Sequence, residues 1–491
     1  MNPSDIHTIT IYQKEYFDIL MEFFIGATGK IPSNFCETNK FPEAVREMGE
    51  RYRGNESKLQ KSYQSYITLE EKLKKLYGKE SIECFKSAKN INCCKVNLGG
   101  SSRFYETQLN ATRKSILFSD IVLIPDPVMP WLETRREHEK FNLVQTLQAA
   151  YFILHLKDML SDEFDLPPFL VFPSWEKSLE KHDKVTISST QQLIADIFSY
   201  YIDPTIETIE DVLTFAKSNE KEFLERIETS NLFISPGGEI GEPIKQAIQA
   251  YKIEAQTWRT KEFNDLMDSS PDSVVVLNGI MEKIQPQYHI LENSYELKSN
   301  PLLCVDAQAH YFRLIGKMTN QRVSNLDYSD KKTLSILSAL MNRRLDFLAN
   351  INNEQLIFLR KTKENVEFRH KLREFINNLP ETKIDDISYV ASEICSQIES
   401  LITQHEKQID SLNRKYGAKH NYTALIAGGG LAVTMMPALA PFLGAALPIA
   451  LTAGGKYIAN KFEEIQEKKI LSGSMMGIFV LAKKQISLNS R

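Results

Sequence analysis

Cysteine is scarce and scattered, with six residues at positions 36, 84, 93, 94, 304 and 395 of a 491-residue chain. A disulfide framework needs more pairs at closer spacing, so a reducing compartment is expected. Cys93 and Cys94 read as ordinary thiols, because no second ligand pair stands at zinc-finger spacing. Catalytic signatures are missing too: there is no G-x-x-x-x-G-K-[ST], no G-x-G-x-x-G, no H-E-x-x-H and no G-x-S-x-G. The first twenty residues contain no basic stretch leading into an unbroken apolar run, which argues against a secretory signal and for a cytoplasmic start. Solenoid repeats and low-complexity linkers are absent as well. Charge of one sign is not in large excess, since 59 basic against 63 acidic residues leave a net −4. That balance removes the simplest case for a general nucleic-acid binder, and no specific nucleic-acid signal is present.

What is present is core material. Hydrophobic residues make up 42% and aromatic residues 10% of the chain, enough for roughly two to four domains at this length. Most of the chain carries apolar residues every third or fourth position, so the fold class is mainly α, a multi-helix body. One stripe runs through Leu59, Tyr63, Tyr66, Leu69, Leu73 and Leu76; a second through Phe141, Val144, Leu147, Tyr151 and Leu154; a third through Ile244, Ile248, Tyr251 and Ala255. Each is expected to be packed core. Two runs, 121–125 and 169–173, are rich in strand formers and stopped by proline, and they flank the second stripe, so a small α/β element is expected in the N-terminal half. Val274–Leu277 could join them as a third strand, although its continuation reads equally as helix. The division that follows is 1–270, 271–380 and 381–491, the last holding a long helix, an apolar hairpin and a basic C-terminal helix.

The candidates for chemistry are few. Asp120 and Asp126 stand at the two ends of the first strand run, and capping or solvent-facing carboxylates are the expected reading over a magnesium pair. Gly99–Arg103 and Pro236–Gly241 each precede a helix, where exposed amides can cradle an anion; helix-entry turns are favoured for both, with Arg103 and Arg113 available to complete a nucleotide site at the first. His138, His310 and His370 have no second histidine at metal spacing. No catalytic residue, metal or cofactor is therefore assigned, and a non-enzyme is favoured.

The last 81 residues differ from the rest. They hold ten basic and three acidic side chains, a net +7, so the preceding 410 residues carry −11. Within them, residues 420–455 contain no charged side chain, a span longer than the roughly 20 residues that cross a hydrocarbon core. Pro437, Pro441 and Pro448 divide it, which favours a helical hairpin at 421–455 over straight crossings. Ala424, Gly428 and Ala432 on one side, and Ala446, Ala450 and Gly454 on the other, stand at the four-residue spacing that lets helices pack closely. Arg414, Lys415 and Lys419 precede the tract and Lys456 and Lys461 follow it, so both ends suit contact with anionic membrane lipid at the inner face of a membrane. Upstream, Ile387, Ala391, Ile394, Ile398, Leu401, His405, Gln408 and Leu412 form a heptad seam, which supports a long antiparallel hairpin or a coiled-coil stem over 385–412 that could pair two copies as a homo-oligomer.

In composition and layout the tract resembles the buried hydrophobic hairpin of pore-forming colicin-type toxins, over about 35 of 491 residues and without a shared motif. The resemblance implies that such a hairpin can be kept soluble until released. The expected function is a membrane-interacting effector of toxin or host-defence type, pore-forming or membrane-disrupting, with the acidic body as sensor. The alternative is a soluble helical scaffold or nucleotide-responsive enzyme with its site in the α/β element.

Overall fold

The computed structural model describes residues 3–35, 41–53, 56–99, 105–133, 139–157, 166–172, 180–235, 237–259, 261–302 and 353–362, with single positions between 159 and 407. These residues are mainly helical around a small parallel sheet.

The chain opens with α1 (Pro3–Thr28), α2 (Phe41–Arg53) and α3 (Glu56–Asn90). In α1, Ile9, Tyr12, Gln13, Tyr16, Phe17, Leu20, Phe23 and Phe24 are buried, three to four residues apart, so the helix turns one apolar face inward. That face lies along α3, whose Tyr66, Leu69, Leu73 and Leu76 are the buried part of the first sequence stripe. Phe23 meets Tyr66 edge-on, with ring centroids 4.9 Å apart.

The sheet follows. Its strands are β1 (Lys95–Leu98), β2 (Ile121–Pro125), β3 (Phe169–Phe172) and β4 (Asn300–Leu302), in the order β3-β2-β1-β4 and all parallel. Val96 pairs with Val122 on one side and Asn300 on the other, and Leu123 pairs with Leu170. The two runs read as strands are thus β2 and β3; β1 and β4 were not foreseen. Between β1 and β2 lies α4 (Tyr105–Ser115); between β2 and β3 lie α5 (Met129–Glu133) and α6 (Glu139–Lys157). Helix α6 is buried on every side from Asn142 to Leu154, beyond the one stripe read from the sequence. Its polar groups are provided for inside: Gln148 Nε2 donates to the Val45 carbonyl at 2.9 Å and Thr146 Oγ1 to that of Asn142 at 2.8 Å.

After β3 come α7 (Glu180–Tyr201), α8 (Ile209–Ser218), α9 (Glu220–Ser230), α10 (Ile244–Trp258), α11 (Lys261–Ser269) and α12 (Asp272–Glu296). Thr208 starts α8 with a reciprocal cap, taking the Asp211 amide at 3.2 Å while the Asp211 carboxylate takes the Thr208 amide at 2.9 Å. Asn231 ends α9 in the left-handed region at φ 54°. These helices build a second core from Phe198, Val212, Phe223, Ile227, Ile248, Tyr251, Val275, Ile280 and their neighbours, with residues on both sides of position 270. Val274–Leu277 is helical, inside α12, because the apolar repeat continues through Ile280 and Ile284. Helix α12 also lies against β1 and β4, tying the second core to the sheet. The last described helix, α13 (Asn353–Lys361), returns to the first core through Leu356 and Leu359.

Candidate functional site

Parallel strands bring their carboxyl ends to one edge, and three of the features named from the sequence meet the sheet at its two edges. Asp126 follows β2 at the carboxyl edge. It is 2% exposed. One carboxylate oxygen accepts from Tyr16 of α1 at 2.6 Å and from the Val128 amide at 2.8 Å; the other accepts from Tyr77 of α3 and from the Met129 amide at 3.4 Å. Asp126 therefore caps the start of α5 and ties two helices to the end of a strand. The capping expectation holds and the solvent-facing one does not: burial pushes its carboxyl above the ordinary value, opposed by the four donors. Burial also lifts Tyr77 well above the usual phenol value, reinforced by the Asp126 charge.

Beside it, Gln13 completes the outer side of β3. Its amide donates to the Val171 carbonyl at 2.8 Å and accepts from the Val171 amide at 2.9 Å. A side chain thus supplies the hydrogen bonds of a missing neighbour strand, which covers an otherwise open edge.

At the end of β1, the Gly99 carbonyl accepts from Gln108 Nε2 at 3.0 Å. A Cβ at Gly99 would stand 2.3 Å from Ile290 Cδ1 and 3.0 Å from Gln308 Nε2, so glycine is needed for α12 to pack there. The rest of the Gly99–Arg103 turn, Arg103 included, lies outside the described residues. The sheet order places β4 on the far side of β1 from β2, so the reversal of direction falls between β1 and β4, beside Gly99.

The amino edge of β2 is held differently. Asp120 Oδ2 accepts from the Cys94 amide at 2.8 Å, and Oδ1 from Arg369 Nε at 3.2 Å. Arg360, in the last turn of α13, donates to the carbonyls of Ile116, Ser119 (3.0 Å) and Asp120. Asn365 Nδ2 donates to the Leu117 carbonyl at 2.9 Å. Arg113 reaches the other way, to the Ile351 carbonyl and the Asn353 side chain. Burial draws Arg360 down to about 9 and Arg113 to about 10, so both remain cationic near neutrality. Arg113 is committed to this contact, whereas the sequence had offered it to a nucleotide.

Asp120 and Asp126 thus sit about 20 Å apart along the strand, each with its own partners, and do not form a metal pair. Among the described residues no cluster of His, Cys, Asp or Glu could hold a metal ion. Of the Pro236–Gly241 turn, residues 237–241 are described and lead into α10. Gly237 and Gly241 take φ of +71° and +89°, and Glu242 folds back to accept from the Ser235 amide at 2.6 Å and hydroxyl at 2.9 Å. A carboxylate of the chain occupies the place an anion would take, and Glu228 receives the Ile244 amide at 3.1 Å at the start of α10. His310 pairs with the Asn231 carbonyl at 2.9 Å; His138 and His370 lie outside the described residues.

The membrane candidates Ala424, Gly428, Ala432, Ala446, Ala450 and Gly454, the basic flanks Arg414, Lys415, Lys419, Lys456 and Lys461, and the stem 385–412 also lie outside them, apart from the helical positions 399, 403 and 407. Among the described residues no helix is long and apolar enough to cross a membrane. Sequence reasoning missed Tyr16, Tyr77, Gln13, Arg360, Asn365 and Arg369. Only the four-residue spacing of Tyr12 and Tyr16 hinted at a polar tip on a buried face. No protein-family model, no curated protein and no solved structure matches the chain.

Proposed function

We propose that the protein is a membrane-engaging helical effector in which the acidic body, with its parallel sheet and two helical cores, restrains the 421–455 hairpin until a signal releases it. The observation that carries this reading is the uncharged span 420–455 between basic flanks, at the end of a chain whose first 410 residues are acidic. Apolar length favours entry into hydrocarbon, small residues at four-residue spacing favour a close pair, and the flanking lysines and arginines favour anionic headgroups. A cytoplasmic protein acting at the inner face of a membrane, paired through 385–412, fits these features. Flotation with phosphatidylglycerol vesicles tests it. A charge at mid-depth costs roughly 3 kcal/mol, about a hundredfold in partition, so Gly428→Asp and Ala450→Asp should abolish flotation while the body stays folded. Undiminished flotation of both variants would sink the proposal.

A second reading, a nucleotide-responsive body, is favoured by the strand-order reversal next to Gly99, because ligands of open parallel sheets gather at such a crevice. Asp126 is too enclosed to serve it. ATP or ADP at about a hundred times its dissociation constant should add about 2.7 kcal/mol to stability, seen as a thermal shift. No shift at millimolar nucleotide removes this reading.

A further inference from the structure

Carboxamide side chains gather where β1 ends. Asn97 on β1, Gln108 on α4, Gln287 on α12 and Gln308 are each at most 6% exposed. Gln108 donates to the Gly99 carbonyl, while Ile290 and Gln308 close on the space that a Cβ at Gly99 would take. Asn97 Nδ2 donates to the Ile290 carbonyl at 3.4 Å, so Ile290 lies level with the last residues of β1. The chain leaves α12 and enters β4 at the amino edge, which makes α12 antiparallel to the strands. Gln287, three residues before Ile290, therefore stands about 4.5 Å further toward the carboxyl edge. Its Nε2 donates back to the Lys283 carbonyl at 3.3 Å, which extends the amide in the same direction.

In both Asn97 and Gln287 the NH2 group is committed to a helix carbonyl, while the side-chain oxygen is buried with no hydrogen-bond partner among the described residues. A buried acceptor costs stability unless a donor reaches it. Each NH2 keeps a second hydrogen, so Gln287 presents an acceptor beside a donor, the pattern that complements the amine and ring nitrogen of adenine. The cluster also stands where the strand order reverses, the place where open parallel sheets take ligands. We infer that these carboxamides bind the base of an adenine nucleoside or nucleotide. Gln287 takes the amine edge, Asn97 Oδ1 is a second acceptor one turn deeper, and ring and ribose lie outward at the carboxyl edge. The inference rests on the nucleotide reading, to which it adds the group that is recognised.

Titration calorimetry of the full chain compares adenosine, ATP and purine riboside, which is adenosine without the amine. Wild type should bind adenosine about tenfold more tightly than purine riboside, because a bidentate pair loses its donor. Gln287→Leu should lose that preference yet melt no lower than wild type, since it removes an acceptor that nothing among the described residues satisfies. Equal binding of adenosine and purine riboside to wild type overturns the inference, and so does a preference that survives Gln287→Leu. If the variant fails to fold, the wild-type comparison decides. The two readings fail separately. ATP binding without any difference between the two nucleosides removes the base site and leaves the nucleotide reading. Preferential binding of adenosine without binding of ATP does the reverse, and no binding of any of the three removes both.

Discussion

Asp126→Ala should lower the unfolding free energy of the α/β body by about 4 kcal/mol, because it removes one buried carboxylate and strands the hydroxyls of Tyr16 and Tyr77 and the amides of Val128 and Met129. Three elements lose their common anchor at once. Asp126→Asn keeps the shape and one acceptor and should cost less than half as much. The two variants also separate burial from charge. The folded-state carboxyl is raised above 3.8, so the folded protein binds that proton more tightly than the unfolded chain does. Its contribution to stability is fully present below the unfolded value and is lost as pH rises through the folded one. Denaturant titrations of wild type across that window should therefore show stability falling with pH, and Asp126→Asn should lack that component of the slope. An equal slope in both proteins would show that Asp126 does not titrate there. If Asp126→Ala instead unfolds within 1 kcal/mol of wild type, the cluster is not an anchor.

The second large effect is expected at Gly279, in the middle of α12. A Cβ there would stand 2.6 Å from the Phe233 ring and 3.3 Å from that of Tyr251. Both rings belong to the second core, and Lys283 lies over Phe233 at 4.7 Å, so the ring has little room to turn. Gly279→Val adds three carbons to that contact and should destabilise by about 3 kcal/mol, despite the better helix propensity of valine. Hydrogen exchange locates the effect: peptides over 212–227 and 244–258 should lose protection first. A variant as stable as wild type would show that α12 can move away from Phe233.

These two positions also mark how much of the molecule could be read in advance. Strands β2 and β3 were legible because Ile121–Ile124 and Phe169–Phe172 are unbroken apolar runs closed by proline. Strand β1 was not, since it alternates Lys95 and Asn97 with Val96 and Leu98, and both polar residues are buried. Lys95 spends its charge on the last turn of α3, donating to the carbonyls of Ala88 at 2.7 Å and Lys89 at 3.0 Å, and burial lowers it to about 8. Strand β4 is three residues long and contains Pro301, which sequence rules set against a strand. Pro286 would likewise have ended α12 ten residues early. Asp126 was visible as an acid at a strand end. Its partners were not, because Tyr16 is 110 residues away and Tyr77 is 49, and no local pattern encodes contacts at that separation. A longer separation, 240 residues to Asp120, hid Arg360.

The pairing of Val96 with Asn300 sets a schedule for synthesis. Strands β1, β2 and β3 leave the ribosome within 78 residues of one another, from 95 to 172, and can associate early. The fourth strand emerges only after α7 to α12 have been made, so most of the second core precedes it, with Tyr311, Leu314, Ile315 and Met318 following. Residues 351–369 follow it, and the apolar span 420–455 comes later still. Translation order thus makes the residues of both described cores before the apolar span emerges.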